Sequence, residues 1–248
     1  MAGGSSAPFE AQYRRRSAAA RDVVADHLTA LRGGSLHVAA AAADAPLLVF
    51  VHGGYWQALS AADSLFPAAE LAAAGWSYAA VEYTVAPRGS IDGMVAECTQ
   101  ALRELATEHR RRVVLVGHSA GAHLVAMAAL AQRPPMVVDA VVLLSGVFDL
   151  RPLVGTSINA PLGLDDERAM RLSPLLMAAQ PHPRVVVAWG ENETSEFKRQ
   201  SREYALHVRG YGSTVLQLEC GRRNHFDIVF DLAEPASELG ALVLDGAP

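Results

Sequence analysis

The sequence has few cysteines and no long uninterrupted apolar run. Only two of its 248 residues are cysteine, Cys98 and Cys220, which excludes a disulfide scaffold and gives no support for a metal site. No stretch is long and apolar enough to span a bilayer, and residues 1–10 lack the apolar core of a secretory signal. These absences predict a cytoplasmic protein with no membrane partner.

Charge of one sign is also scarce. The formal net charge is only -5, which gives no reason to expect nucleic acid or an anionic membrane surface as a partner. Apolar residues, by contrast, make up 51% of the chain, so a sizeable core can form. The sequence leaves the oligomeric state open, with a homodimer as one candidate.

Strand and helix patterns alternate along the chain, which predicts an α/β fold with a mostly parallel central sheet flanked by helices. We expect one domain over residues 1–248, with an N-terminal segment at 1–35. Between 147 and 182 the pattern breaks into short groups, which predicts a cap over the carboxyl ends of the strands, or else a structural connector. Strand patterns lie at 46–51, 76–82, 113–116, 139–144, 184–189 and 213–220, and a long helical pattern at 91–109.

Residues 117–121 read Gly-His-Ser-Ala-Gly. A buried strand pattern precedes them, and a helical pattern with no breaker before Pro134 follows. Gly-x-Ser-x-Gly between a strand and a helix is typical of a nucleophile elbow. We therefore expect a strained Ser119 with its hydroxyl in solvent, flanked by glycines because the two elements approach too closely for side chains. The alternative is that these small residues serve only the packing of a strand–helix turn.

Residues 52–56, His-Gly-Gly-Tyr-Trp, directly follow another buried strand pattern. Paired glycines at this position can turn their N–H groups toward a carbonyl oxygen. We expect Gly53, Gly54 and the N–H of Ala120 to form an oxyanion hole. A glycine turn with aromatic packing is the alternative, but two matching motifs in the right order argue against it.

A general base and an acid should follow the serine, in the order acid and then histidine. Of the nine histidines, only His225 follows the last strand pattern in a polar loop. Glu191, Glu193 and Glu196 compete for the acid in the loop after the preceding strand. Glu196 begins a helical pattern, where an acid is favourable for the helix dipole alone, and the residues themselves do not separate Glu191 from Glu193.

These motifs together resemble an α/β-hydrolase of the kynurenine formamidase (arylformamidase) family, from about residue 46 to residue 231. The resemblance is carried by residues 52–56, 117–124, 145–150, 190–201 and 224–227. The family's acid loop is similar to Gly-x-x-Asp/Glu-x-x-Glu-Phe-x-Arg-Gln-Ser, which implies Glu193 as the acid. Glutamate stands where many relatives are expected to carry aspartate, and only a carboxylate within reach of the imidazole is needed.

The resemblance implies a serine hydrolase that cleaves the formamide of N-formyl-L-kynurenine through a formyl-serine intermediate, with no metal or organic cofactor. A general carboxylesterase acting on small esters is one alternative, and an inactive binding protein of hydrolase fold is another. Five side chains near the expected site edge are candidate contacts for an aromatic substrate, although each has a core, rim or turn role as its alternative. They are Tyr55, Trp56, Phe148, Asn159 and Phe226.

Overall fold

A central sheet of eight strands organises the described part of the chain. The structure, a computed structural model, describes residues 6–40, 42, 44–108, 112–131, 137–182 and 184–244. The strands are β1 Leu28–Ala30, β2 Leu36–Val38, β3 Leu47–Val51, β4 Ser77–Val81, β5 Val113–His118, β6 Ala140–Leu144, β7 Val185–Gly190 and β8 Val215–Cys220. Their spatial order is β1-β2-β4-β3-β5-β6-β7-β8.

The strands from β3 to β8 pair in parallel, whereas β2 pairs antiparallel with β1 on one side and with β4 on the other. The α/β class and the six predicted strands are confirmed. The sequence patterns did not predict β1 and β2, because three residues are too few to show a strand period.

Helices cover both faces of the sheet. They are α1 Ala7–Val23, α2 Ala68–Ala73, α3 Ile91–Glu108, α4 Ala120–Val125, α5 Asp166–Arg171, α6 Ser195–Gly210 and α7 Glu238–Leu244. A π-helical turn, Ala126–Leu130, continues α4. The predicted helix at 91–109 corresponds to α3, while His109 and Pro134 lie outside the described residues. No helix in the described ranges is long and apolar enough to cross a membrane.

Successive residues of each strand point to opposite faces, and this alternation builds two apolar layers. In β3, Leu47 and Val49 pack with residues of α3, α4 and α6 on one face. Leu48 and Phe50 pack with residues of α1, α2 and α7 on the other. The parallel strands are thus buried on both sides, and their carboxyl ends meet at one edge of the sheet.

Residues 147–182 form a run of short helical segments that includes α5. The Leu175 N–H donates to the carbonyl of Phe148 at 3.0 Å. The Gln57 amide, in the loop after β3, donates to the carbonyl of Ile158 at 2.8 Å. The segment therefore contacts a loop at the carboxyl edge of the sheet, where the sequence motifs also lie.

Candidate active site

Ser119 stands on the turn between β5 and α4. Its φ of 55° lies in the left-handed region that side chains other than glycine rarely adopt. A Cβ on Gly117 would lie 2.4 Å from the carbonyl oxygen of Gly121, and a Cβ on Gly121 only 2.0 Å from that of Val51. Both glycines are needed for this close approach, as predicted.

The serine hydroxyl faces an imidazole. His225 Nε2 lies 3.0 Å from Ser119 Oγ, and His225 Nδ1 lies 3.1 Å from Glu193 Oε2. A carboxylate at Nδ1 holds the proton on that nitrogen and leaves Nε2 free to accept the serine proton. The arrangement has the hydrogen-bond connectivity of an activated nucleophile.

Glu193 is the glutamate that the structure brings to His225. Its other carboxylate oxygen, Oε1, accepts a hydrogen bond at 2.5 Å from the Gly190 N–H and another at 2.5 Å from the Ser145 hydroxyl. The two competing acids point elsewhere. Glu191 accepts from the backbone of the β8 loop, and Glu196 pairs with an arginine one turn along α6.

The loop that carries His225, here called the histidine loop, is held by contacts that the sequence did not predict. His118 Nε2–H donates to the carbonyl of His225 at 2.7 Å, and burial, with the neighbouring His225, lowers the pKa of His118 to about 3. The Phe197 ring packs 4.1 Å from the His225 ring, centroid to centroid. From the other face of the sheet, the hydroxyl of Tyr13 in α1 donates to the carbonyl of Phe226. No short-range sequence signal marks these partners, apart from the place of His118 in the elbow motif.

Gly53 lies beside the serine, and Gly54 follows it on the same loop. A Cβ on Gly53 would lie 3.1 Å from Ser119 Cβ, and Gly54 has a φ of 98°. Among the described residues, no acceptor is hydrogen-bonded to the amide N–H of Gly53, Gly54 or Ala120. Three unpaired donors near one hydroxyl are the arrangement that an oxyanion hole requires.

Tyr83 holds the loop that carries these glycines. The Tyr83 hydroxyl lies 2.9 Å from the carbonyl oxygen of His52 and 3.1 Å from that of Gly53, and the Tyr83 and His52 rings stack with centroids 4.2 Å apart. Burial raises the pKa of the Tyr83 hydroxyl, so it stays protonated and remains a donor. Such anchoring fixes the direction of the glycine N–H groups.

The nucleophile is more enclosed than its motif suggested. Ser119 is only 2% exposed, so the expectation that its hydroxyl stands in open solvent is wrong. The reason is local, because Gly53 packs against the serine Cβ and His225 contacts its hydroxyl.

Three of the five expected substrate contacts are engaged inside the protein. Trp56 and Phe148 are fully buried, and Phe148 stacks on Tyr204 of α6 at 4.1 Å, so neither ring presents a surface to a ligand. The Asn159 amide bonds both the carbonyl and the N–H of Leu164, at 2.8 Å and 2.7 Å. These are corrections, and their cause is packing that composition does not reveal.

Tyr55 and Phe226 are each half-buried. Phe226 meets the His225 ring edge-on at 5.2 Å, and its own face stacks at 4.7 Å on Phe9 of α1. Burial raises the pKa of the Tyr55 hydroxyl. Within the described ranges, no group of three or more His, Cys, Asp or Glu side chains could hold a metal ion.

Comparisons with known proteins identify the fold. Residues 48–226 match a protein family described by the alpha/beta hydrolase fold. A crystal structure from Silicibacter sp. TM1040, provisionally described as a thioesterase, superposes with a TM-score of 0.84 at 27% identity and covers 98% of this chain and 95% of that one. Fold and site together make the protein an α/β-hydrolase, and a hydrolytic enzyme.

Two relatives in sequence identify the family within the α/β-hydrolases. Kynurenine formamidase of Danio rerio is 34% identical over 212 residues, which is 81% of this chain and 72% of that protein. Kynurenine formamidase of Drosophila melanogaster is 32% identical over 215 residues, 79% of this chain and 71% of that protein. The chain belongs to the kynurenine formamidase family of α/β-hydrolases, and the resemblance inferred from its motifs is confirmed.

Proposed function

We propose that the protein hydrolyses the formamide of N-formyl-L-kynurenine, or a closely similar aryl formamide, to the aromatic amine and formate. The observation that carries the proposal is the hydrogen-bonded series from Ser119 Oγ through His225 to Glu193, with distances of 3.0 Å and 3.1 Å. Support for the substrate comes from the two relatives named kynurenine formamidase.

In the first half of the proposed reaction, Ser119 Oγ attacks the formyl carbon while its proton passes to His225 Nε2. The carbonyl oxygen becomes an oxyanion, which the N–H groups of Gly53, Gly54 and Ala120 stabilise. The oxyanion collapses and the C–N bond breaks. His225 gives its proton to the departing amine nitrogen, which leaves a formyl ester on the serine.

In the second half, water attacks the formyl carbon and its proton passes to His225 Nε2. Collapse of the second oxyanion breaks the bond between carbon and Ser119 Oγ, and His225 returns the proton to the serine. The Glu193 carboxylate stabilises the imidazolium in both halves. Formic acid then leaves and loses its proton to solvent, so the enzyme returns to its starting state.

Ester hydrolysis is the second candidate, because the same nucleophile and oxyanion hole act on esters and thioesters. It is favoured by the 27% identical structure that is described as a thioesterase. The inactive binding protein predicts a broken catalytic arrangement, whereas all three side chains lie within hydrogen-bonding distance.

The test compares kcat/KM for N-formyl-L-kynurenine with that for a short p-nitrophenyl ester, in the wild type and in Ser119→Ala. We expect a strong preference for the formamide and a loss of about 10⁴ or more in kcat in the variant. Ester turnover with little formamide turnover would move the assignment to a general esterase. Near-normal turnover by Ser119→Ala would refute the mechanism.

A further inference from the structure

His123, four residues after the serine, has both ring nitrogens engaged although the mechanism above does not use it. It is fully buried. The indole N–H of Trp56 donates to His123 Nδ1 at 3.3 Å, and His123 Nε2 lies 2.8 Å from the carbonyl oxygen of Leu172. One ring therefore joins the loop after β3, helix α4 and the 147–182 segment.

The two partners of His123 determine which nitrogen carries the proton. An indole N–H can only donate and a carbonyl can only accept, so Nε2 is protonated and Nδ1 is bare. Burial lowers the pKa of His123 to about 4, and the ring is neutral at neutral pH. A charged ring would turn an N–H toward the Trp56 N–H, which could not accept it.

Trp56 matters because it lies on the loop that carries Gly53 and Gly54. Tyr55 and Trp56 have φ angles of 50° and 60°, a backbone conformation that residues other than glycine keep only where their surroundings hold it. The Trp56 carbonyl accepts from the Ala86 N–H at 2.7 Å. Its side chain is held by His123, so the imidazole is one of the two polar anchors at this strained position.

The backbone of His123 contacts the other wall of the proposed oxyanion hole. Its N–H donates to the carbonyl of Ser119 at 3.2 Å in the first turn of α4, the turn that begins with Ala120. His123 thus links the helix that supplies one oxyanion donor to the loop that supplies the others.

We infer that His123 is a positioning residue for the oxyanion hole, since it sets the distance between the glycine loop and the start of α4. The inference rests on the proposed function, in which those N–H groups stabilise the oxyanion. A loop that loses this anchor should still bind substrate, but it should stabilise the transition state less well. A purely structural role would lower stability without changing kcat.

The test uses three variants. His123→Phe removes both ring hydrogen bonds, Trp56→Phe removes the N–H donor together with part of the ring, and His123→Asn keeps an acceptor near the position of Nδ1. Removing an oxyanion donor outright costs about 10²–10³ in kcat, and displacing the donors should cost less. We expect kcat to fall by about 10–100-fold in both Phe variants with KM changed less than threefold, and to recover at least partly in His123→Asn.

A transition-state analogue supplies the decisive readout. An aryl trifluoromethyl ketone forms a tetrahedral adduct, so its inhibition constant should rise by the same factor as kcat/KM falls, whereas affinity for the aromatic amine product should not change. His182→Asn is the matched control, because His182 is also buried and its Nε2 lies 2.8 Å from a backbone carbonyl oxygen at the opposite end of the sheet. It should lower the melting temperature and leave kcat unchanged.

All rates are normalised to the serine labelled by a fluorophosphonate probe, which counts folded active sites. Unchanged kcat and analogue affinity in the Trp56→Phe variant, with wild-type labelling, would overturn the positioning role alone. Absence of labelling in the wild type would overturn the proposed function and this inference with it. Should His123→Phe fail to fold, the other two variants still decide the question.

Discussion

Replacement of Glu193 by glutamine tests the acid with little change in shape. The carboxylate oxygen Oε1 accepts from the Gly190 N–H and from the Ser145 hydroxyl, each at 2.5 Å. In Glu193→Gln the amide oxygen can take this place, which leaves the amide NH₂ facing His225 Nδ1. An NH₂ group only donates, so His225 would have to carry its proton on Nε2, where it blocks acceptance of the serine proton.

The opposite amide orientation would preserve the His225 contact but direct the NH₂ at the Gly190 N–H. Two donors would then face each other in a buried site, at a cost of about 1–3 kcal/mol. That cost disfavours the active orientation by roughly 5- to 150-fold, since 1.4 kcal/mol is about a factor of ten. The variant also loses the negative charge beside the imidazolium. From the two effects together we expect kcat to fall by about 10³–10⁴.

The assay is steady-state hydrolysis of the preferred substrate, with circular dichroism to confirm folding. Glu191→Gln is the matched control, because this exposed side chain on the same loop accepts only from the Arg222 N–H at 2.7 Å. We expect less than a twofold change there. Activity of Glu193→Gln within tenfold of wild type would refute the tautomer argument, and a large loss in Glu191→Gln would assign the acid to that residue instead.

Three further substitutions, one of them with a matched control, test the scaffold. Gly121→Ala should lower the free energy of unfolding by about 2–3 kcal/mol and also lower kcat, because the new Cβ would meet a backbone carbonyl oxygen at 2.0 Å. Gly210→Ala is its control: with nothing within 4 Å of the new Cβ, it should be neutral or stabilising in urea titrations. Tyr13→Phe should lower the free energy of unfolding by about 1–3 kcal/mol in the same titrations, because it leaves the Phe226 carbonyl without its donor. An unchanged urea midpoint of unfolding would contradict this. A hydrogen bond and an ion pair from Arg171 lower the pKa of Asp92 in the folded state. The pair is largely exposed, so Arg171→Met should lower stability only slightly above about pH 4, and this difference should vanish as the pH falls through the lowered pKa. A difference that persists at pH 2 would contradict the assignment.

Local spacing and order along the chain were enough to single out Ser119 and His225 as candidates. Ser119 and the glycines beside it are determined by a strand-to-helix turn of five residues, and His225 by its place after the last strand. Glu193 needed the family resemblance, because a loop with three glutamates has no spacing rule that distinguishes them. The structure adds the reason for the choice, since only Glu193 has its carboxylate between a strand-end N–H and the imidazole.

The supporting contacts could not be predicted in this way. Tyr13 and Phe226 are separated by 213 positions in sequence, and His123 joins segments on both sides of the elbow. The prediction that two aromatic side chains contact the substrate was wrong for a related reason. Trp56 and Phe148 have the composition of a ligand-binding rim, yet a core uses the same side chains, and only packing separates the two roles.

Backbone strain gives an independent argument that the carboxyl edge of the sheet is the functional edge. Among the described residues, six non-glycine positions have positive φ, and every one follows the carboxyl end of a strand: Tyr55, Trp56, Leu59, Ser119, Ser145 and Arg222. Each costs about 1–3 kcal/mol and persists only where its surroundings over-determine it. Ser145 is held by Glu193 and Trp56 by His123. At these two positions the side chain that offsets the strain also belongs to the proposed site, as its acid or as an anchor of its oxyanion donors, so stability and catalysis should be lost together when either Glu193 or His123 is removed.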